Sequence, residues 1–344
     1  MNDLTEVRGE DSFDVEMLHV WLKHLVPELS SLPKVMQFRS GASNLTYLLQ
    51  YPDRDLVLRR PPFGVKAASA HDMRREVLIQ SQLQPYFPYV PSIIGFSDDP
   101  AIMNSDFYVM ERVKGTILRR DLPAGTLLSA DRASAIGASM IQGWVDLHSV
   151  DASILKVFNK GDGYVKRQVD GWSKRYRSAL TDDVPDGEDV MKWLDGHQPS
   201  DVNHCIIHGD WRLDNLVLDI DEAKLVGVLD WELATVGDPL MDLGASLAYW
   251  INADDPIEFA NLRRQPSNMP GMPTRDQIVE RYVELSGIGC DDFTFYEIFG
   301  LFRLSVIIQQ IWIRYRLGQT TNHAFADFGS AVTVLIDRAR SLMK

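Results

Sequence analysis

The chain has 344 residues, too many for one small core and suited to two lobes. Hydrophobic residues make up 45% and charged residues 24%, as in globular proteins, and the 48 acidic against 35 basic residues give a net charge of -13. An acidic balance of that size argues against a nucleic-acid-binding face and against a polybasic membrane anchor.

In chain order, apolar residues at helical spacing from Asp14 to Leu29 predict an N-terminal helix. Three strand-like runs follow, at Val35–Arg39, Leu45–Tyr51 and Leu56–Arg59. Ser40-Gly41-Ala42-Ser43-Asn44 forms a turn cluster between the first two. His71 to Leu83 reads as a charged amphipathic helix, and Ser92–Phe96 and Phe107–Val113 as two more strands. Helices then dominate, at about Ala130–His148, Tyr164–Leu180 and Glu188–Gly196. A β-rich island from His204 to Asp230 holds three apolar runs, Cys205–Ile207, Leu216–Leu218 and Leu225–Leu229. The remainder, Pro239–Trp250, Thr274–Ser286, Phe295–Leu317 and His323–Met343, is helical in pattern. This order predicts an α+β fold with a small β-rich N-lobe, residues 1–113, and a larger helical C-lobe, residues 114–344. Two cysteines, Cys205 and Cys290, make no disulfide framework, and the acidic N-terminus reads as no secretory signal; both point to the cytoplasm.

The chemistry concentrates in His208-Gly209-Asp210-Trp211-Arg212-Leu213-Asp214-Asn215, which follows a strand, and in Asp230-Trp231-Glu232, which ends the strand pair after it. Magnesium takes hard oxygen ligands and keeps several waters, so one carboxylate and one amide oxygen suffice beside phosphates. Phosphoryl transfer needs a further carboxylate to orient or deprotonate the attacking hydroxyl. The alternative is a strand-to-loop turn whose Asp and Asn bond only the backbone.

These motifs resemble the catalytic loop and metal motif of the aminoglycoside phosphotransferase and choline kinase superfamily, which has a protein-kinase-like two-lobe fold. The resemblance implies ATP and Mg2+ as cofactors, Asp210 as catalytic base, Asn215 and Asp230 as magnesium ligands, and Glu232 as a second-metal ligand. It implies His208 as a support of the loop, and Arg212 lies where protein kinases carry a lysine near the transferred phosphate, so it is expected to stabilise charge on the γ-phosphoryl group. A narrower similarity rests on Val57-Leu58-Arg59-Arg60-Pro61-Pro62, His71 with Arg75-Glu76, Phe107-Tyr108-Val109-Met110-Glu111, Leu147-His148 with Asp151, Arg167-Gln168 with Trp172, and Asp230 to Leu243. Together these are similar to the kinase-like N-terminal region of certain multidomain acyl-CoA dehydrogenases, over about Gly41 to Gly318.

Within that resemblance Gly41, Ser43 and Asn44 stand where a phosphate-covering loop lies, though a plain hairpin turn fits as well. Arg59 takes the place of the phosphate-contacting lysine with Glu76 as its partner; a solvated basic strand edge is the other reading. Glu111 to Val113 resembles the adenine hinge. Asp238-Pro239 is a helix start, and Asp242 one turn on is expected to brace the catalytic loop. Arg167, Gln168 and Trp172 share one helix, and Arg303, Gln310 and Arg314 share one face of another; they suit an anionic acceptor or salt bridges between helices. The function that follows is a small-molecule kinase acting on a hydroxyl, with a hydroxyacyl-CoA or hydroxy acid favoured. A nucleotide-binding pseudokinase is the second reading, and a flavoenzyme is disfavoured because no Gly-x-Gly-x-x-Gly follows a strand.

Overall fold

The structure is a computed structural model and describes residues 4–39, 44–62 and 72–343. Gly41 and Ser43, two residues of the expected phosphate loop, and His71 lie outside the described residues. The fold is α+β, with a small β-rich N-lobe and a larger helical C-lobe. Contacts divide it into two compact units: Met1–Lys114 with Gly227–Glu232, and Gly115–Val226 with Leu233–Lys344.

The first unit is built on one antiparallel six-stranded sheet. In chain order its elements are β1 (Leu4–Thr5), α1 (Val15–Leu25), β2 (Lys34–Phe38), β3 (Leu45–Gln50), β4 (Asp55–Arg60), α2 (Met73–Leu83), β5 (Ile93–Ser97) and β6 (Phe107–Glu111). The strand order is β1-β2-β3-β4-β6-β5. The sequence pattern misses β1, because two residues carry no alternation; Leu4 and Thr5 are held by pairing with Phe38 and Gln37. The strand period of two sorts the core into two faces. Leu56, Leu58, Phe107 and Val109 pack with Leu18 and Leu22 of α1, whereas Val57, Tyr108 and Met110 pack with Met73 of α2. Arg59 therefore emerges on the α2 face and Arg60 on the α1 face. Arg60 is wholly buried, donating to the Tyr47 hydroxyl and to the Asp11 carbonyl oxygen. Asp14 and Asp72 cap the two helices by accepting backbone N–H bonds from Glu16 and Arg75.

Gly227–Glu232, which the sequence pattern assigns to the C-lobe, packs with the first unit. Three contacts hold it there. The Val228 N–H donates to the Tyr89 carbonyl oxygen at 2.8 Å. A Cβ on Gly227 would come within 2.7 Å of Val113. The buried Trp231 ring meets Phe87 edge-on at 6.0 Å.

The second unit is mostly helical: α3 (Ala130–His148), α4 (Tyr164–Ala179), α5 (Glu188–Gly196), then β7 (Cys205–Ile207), β8 (Leu216–Asp219), β9 (Lys224–Val228, its last two residues counted with the first unit) and β10 (Thr235–Gly237), then α6 (Pro239–Leu247), α7 (Ile257–Ala260), α8 (Arg275–Ser286), α9 (Thr294–Arg316) and α10 (Phe328–Leu342). β8 pairs with β9, and β10 pairs antiparallel with β7. The three-residue β10 has no periodicity to betray it. Helix α6 stops at Leu247, short of the expected Trp250, whose indole N–H is used by the Pro273 carbonyl oxygen at 2.8 Å. The expected helix from His323 divides into a short 3-10 turn capped by Asn322 and then α10.

Helices α6 and α9 cross with their backbones nearly touching. A Cβ on Gly300 would stand 1.9 Å from the Gly244 carbonyl oxygen, and one on Gly244 would stand 2.2 Å from that of Tyr296. Neither neighbour is a flexible side-chain end, so Gly300→Ala is expected to destabilise the protein by on the order of 2 kcal/mol or more; urea unfolding with an unchanged m-value would measure it.

Candidate active site

In the first unit, β4 places Arg59 on the α2 face and helical spacing places Glu76 opposite it. The Arg59 Nη2 donates to Asp230 Oδ1 at 2.9 Å, and Nη1 lies 3.5 Å from Glu76 Oε1. Glu76 accepts from the Tyr108 hydroxyl at 2.8 Å, and that hydroxyl accepts from Gln80 Nε2 at 3.2 Å. Arg59, Glu76, Tyr108 and Gln80 are buried, and Asp230 is partly exposed. Burial alone would disfavour the Arg59 charge, but the adjacent Glu76, Tyr108 and Asp230 outweigh it and hold the guanidinium well above its ordinary value. Burial raises the Glu76 carboxyl against the pull of Arg59.

Asp230 has φ 66°, a left-handed conformation that costs a non-glycine residue about 1 kcal/mol or more. Trp231, whose indole N–H donates to the Val228 carbonyl oxygen at 2.9 Å, anchors the turn. Glu232 accepts from Asn44 Nδ2 at 3.1 Å, and its backbone oxygen accepts from Arg75 Nη1 at 2.6 Å. The structure thus gathers Arg59, Glu76 and Asp230 into one cluster and joins Asn44 to Glu232. Glu111 pairs with Arg54 and, through its backbone N–H, with the Ser92 oxygen.

In the second unit, β7 delivers His208-Gly209-Asp210. Gly209 is left-handed at φ 79°, and a Cβ there would press on Leu233 at 3.0 Å. Asp242, fully buried in the first turn of α6, accepts from the backbone N–H of Gly209 at 2.8 Å and of His208 at 3.2 Å. It also accepts from Trp144 Nε1 at 3.0 Å and His148 Nε2 at 3.2 Å, and His148 Nδ1 lies 2.6 Å from the Tyr282 hydroxyl. Burial would raise the Asp242 carboxyl; the bonds and charge of His148, then Trp144, override it and hold it below the usual carboxylate range. The loop closes on itself where the Asp210 N–H donates to His208 Nδ1 at 3.2 Å.

Both oxygens of Asp210 are oriented. Arg212 Nε lies 2.8 Å from Oδ1, its Nη2 donates to Oδ2 at 3.1 Å, and Asn215 Nδ2 donates to Oδ2 at 2.8 Å and to the Asp210 backbone oxygen at 2.9 Å. Burial pushes the Asp210 carboxyl up, but Arg212 and then Arg303 outweigh it, so the group is held below its ordinary value and is ionised at neutral pH. Because the Asn215 amide nitrogen is committed to Asp210, its Oδ1 is the side-chain atom left for a metal.

Arg212 is shared with Asp214 at 3.3 Å and lies 4.4 Å from the centre of the Tyr249 ring. Arg303 is buried and donates to the Gly209 carbonyl oxygen at 2.9 Å, with its guanidinium 5.2 Å from the Trp172 ring. Gln168 accepts the Trp172 indole N–H at 3.1 Å. The structure therefore joins Arg303, Trp172 and Gln168 beside the Gly209–Asp210 loop, but it does not bring Arg314 there. Arg314 is exposed and donates to the Gln310 carbonyl oxygen of its own helix, about 16 Å along the axis from Arg303. Nor does Arg167 join them: it donates to the carbonyl oxygens of Asp162 and Gly161 in the loop before α4. Arg303 and Arg314 therefore do not meet at one acceptor, because spacings of seven and four fix a shared helix face but not how far burial extends along it.

Tyr249 and Asp214 were not singled out from the sequence. Asp214 lies inside the loop motif and could have been; Tyr249 follows α6 and has no local signal. The charges of Arg212, Asp210 and Arg303 all reach the Tyr249 phenol, whose pKa burial raises. Since Arg212 is the largest influence holding Asp210 down, Arg212→Ala should move the acid limb of a pH–rate profile upward. In the wild type that limb is expected below the ordinary aspartate value of about 4. The dependence of kcat/KM on pH in both proteins measures the shift.

The Arg59 donor fits the phosphate oxygens of a nucleotide. Arg59 Nε and Glu76 Oε2 are buried without a hydrogen-bond partner among the described residues, and an unpaired buried donor costs about 1–3 kcal/mol unless an acceptor arrives. Among the described residues no group of three or more His, Cys, Asp or Glu side chains is placed to hold a metal ion. No helix among the described residues is long and apolar enough to cross a membrane.

Residues 34–278 match the model of the phosphotransferase enzyme family. The chain belongs to that family. This phosphotransferase-family chain is 36% identical over 321 residues to acyl-CoA dehydrogenase family member 10 of Mus musculus, a match covering 92% of this chain and 30% of that protein. It is 33% identical over 353 residues to acyl-CoA dehydrogenase family member 11 of Homo sapiens, covering 100% of this chain and 45% of the relative. The chain thus spans less than half the length of either relative. Among solved structures, a Ralstonia eutropha chain named for the aminoglycoside phosphotransferases superposes with TM-score 0.81 at 29% identity, covering 96% of this chain and 98% of that one. Choline kinase from Cryptosporidium parvum superposes with TM-score 0.65 at 11% identity, over 95% and 96% of the two chains, and shows the shared fold.

Proposed function

We propose that this chain transfers the γ-phosphoryl group of ATP, with magnesium, to the hydroxyl of a small molecule. The observation that carries this reading is the Asp210 carboxylate: ionised, held by Arg212 and Asn215, in a loop whose backbone is tied to Asp242. A fixed carboxylate of this kind can accept or orient the proton of an attacking hydroxyl, and general-base assistance contributes about 10²–10⁴-fold in rate. Asn215 and Asp230 are the proposed magnesium ligands, with Glu232 available to a second ion. Magnesium, when bound, would neutralise charge on the phosphate oxygens. Arg59 would donate to the nucleotide phosphates, Asn44 with Gly41 and Ser43 would cover them, and the backbone from Glu111 to Val113 would meet the adenine edge. Arg212 orients Asp210 and would oppose charge on the transferred group.

For the acceptor we favour an anionic hydroxy compound, a hydroxyacyl-CoA or a hydroxy acid. Two things support it: the similarity to acyl-CoA dehydrogenase family members, and the buried Arg303 with Trp172 beside the Gly209 oxygen. The net charge of -13 favours a small-molecule partner over nucleic acid or a membrane surface, and the two free cysteines suit the cytoplasm. One observation favours a second reading, a nucleotide-binding scaffold: Arg59, standing where kinases use lysine, already neutralises Asp230.

Purified protein with ATP and magnesium, presented with hydroxyacyl-CoAs, hydroxy acids, amino alcohols and aminoglycosides, separates the two. Acceptor-dependent ADP release that disappears in Asp210→Ala supports the kinase. Nucleotide binding with no turnover on any acceptor supports the scaffold.

A further inference from the structure

Helix α4 carries Gln168, Trp172 and Arg175 at spacings of four and three, so the three share one stripe. Arg303 of α9 stands against that stripe. Its guanidinium lies 5.2 Å from the centre of the Trp172 ring, and that of Arg175 lies 4.5 Å from the same centre. The two cationic centres are therefore within about 10 Å of each other, about one Debye length at 0.1 M salt, so their charges act together.

Neither has a counter-ion. Arg59 and Arg275, buried to the same degree as Arg303, each face two carboxylates. No described carboxylate lies within ion-pair distance of Arg303 or Arg175. A guanidinium carries five N–H donors, and Arg303 uses Nη2 on the Gly209 carbonyl oxygen at 2.9 Å. Its other two nitrogens make no hydrogen bond to a described residue, and neither is among the enclosed unpaired atoms, so both face open space. Arg175 is exposed and Trp172 partly so.

A buried cation without a counter-ion is costly. The Trp172 ring offsets part of that cost. An oxyanion offsets the rest, because its paired oxygens match the guanidinium fork; a cationic or neutral ligand does not. The neighbouring Asp210 charge does not exclude an anion, since Arg212 already contacts both of its oxygens.

We propose that Arg303 and Arg175, both against the Trp172 ring, form an oxyanion subsite that holds a carboxylate or phosphate of the acceptor beside Asp210. This rests on the reading of the Asp210 loop as a phosphotransferase site, and it adds Arg175 as a residue that selects the acceptor.

Calorimetric titration of the full chain without nucleotide tests it, using 3-hydroxybutyrate, its neutral methyl ester and inorganic phosphate. Millimolar binding of 3-hydroxybutyrate or phosphate is expected, the tighter of the two identifying the group held, with the ester about tenfold or more weaker than the acid. Arg175→Gln changes an exposed side chain, so it should keep the wild-type melting temperature while weakening the anion about fivefold or more. Asp210→Ala should bind the anion as tightly as wild type or more tightly. No anion binding at millimolar concentration, equal binding of acid and ester, or unchanged anion affinity in folded Arg175→Gln would overturn the subsite. Anion binding that responds to Arg175→Gln in a protein that phosphorylates no acceptor would support the subsite and overturn the kinase reading. Phosphorylation of an anionic acceptor at the wild-type KM by Arg175→Gln would overturn the subsite and leave the kinase reading intact.

Discussion

Asp210→Ala is expected to lower kcat by about 10²–10⁴-fold, the range lost with a general base, with little change in nucleotide affinity. The prediction follows from how the carboxylate is held. Both oxygens face positive or amide donors from Arg212 and Asn215, so the charge is present and the lone pairs are aimed before any substrate arrives. Removing it leaves Arg212 with Asp214 as its remaining carboxylate partner at 3.3 Å, which limits the damage to the fold. A large fall in kcat with a small shift in melting temperature is therefore the expected pairing. An equal fall in activity and in folded protein would point to a structural role for Asp210.

The second large effect concerns Asp242. Asp242→Ala should cost about 3–5 kcal/mol of stability, the range for stripping one partner from a buried charged network, because four donors lose their acceptor together: the N–H groups of Gly209 and His208, Trp144 Nε1 and His148 Nε2. Chemical denaturation measures the loss. Activity should fall as well, since the backbone that presents Asp210 is no longer tied to α6. The pH dependence has a definite sign. The Asp242 carboxyl is held below its unfolded value, so its stabilising contribution is complete above about pH 4 and is lost as the pH falls through the lower folded-state value. Asp242→Asn should flatten that acid-side loss.

What the sequence reveals and what it hides divide along physical lines. The loop from His208 to Asn215 is legible because its signals are local: a strand, a left-handed glycine, and an acid and an amide five residues apart. Asp242 is legible because Asp238-Pro239 announces a helix start, and one helical turn then fixes where Asp242 points. The alternation of β4 is legible enough to send Arg59 and Arg60 to opposite faces. Strands β1 and β10 are not, since two or three residues carry no period and depend on partners distant in sequence. The position of Gly227–Glu232 is likewise invisible, because it follows from tertiary contacts with Tyr89, Val113 and Phe87. Arg314 shows the limit of periodicity: it shares a helix face with Arg303, but α9 is buried along its first half and exposed near its end.

Phosphorus NMR of the reaction mixture, with ATP, magnesium and a hydroxylated acceptor, observes phosphoryl transfer itself. A new phosphomonoester resonance is expected to grow in step with ADP in the wild-type protein and to be missing with Asp210→Ala. ADP accumulating with inorganic phosphate alone on every acceptor, or a phosphomonoester formed equally well by Asp210→Ala, would contradict it.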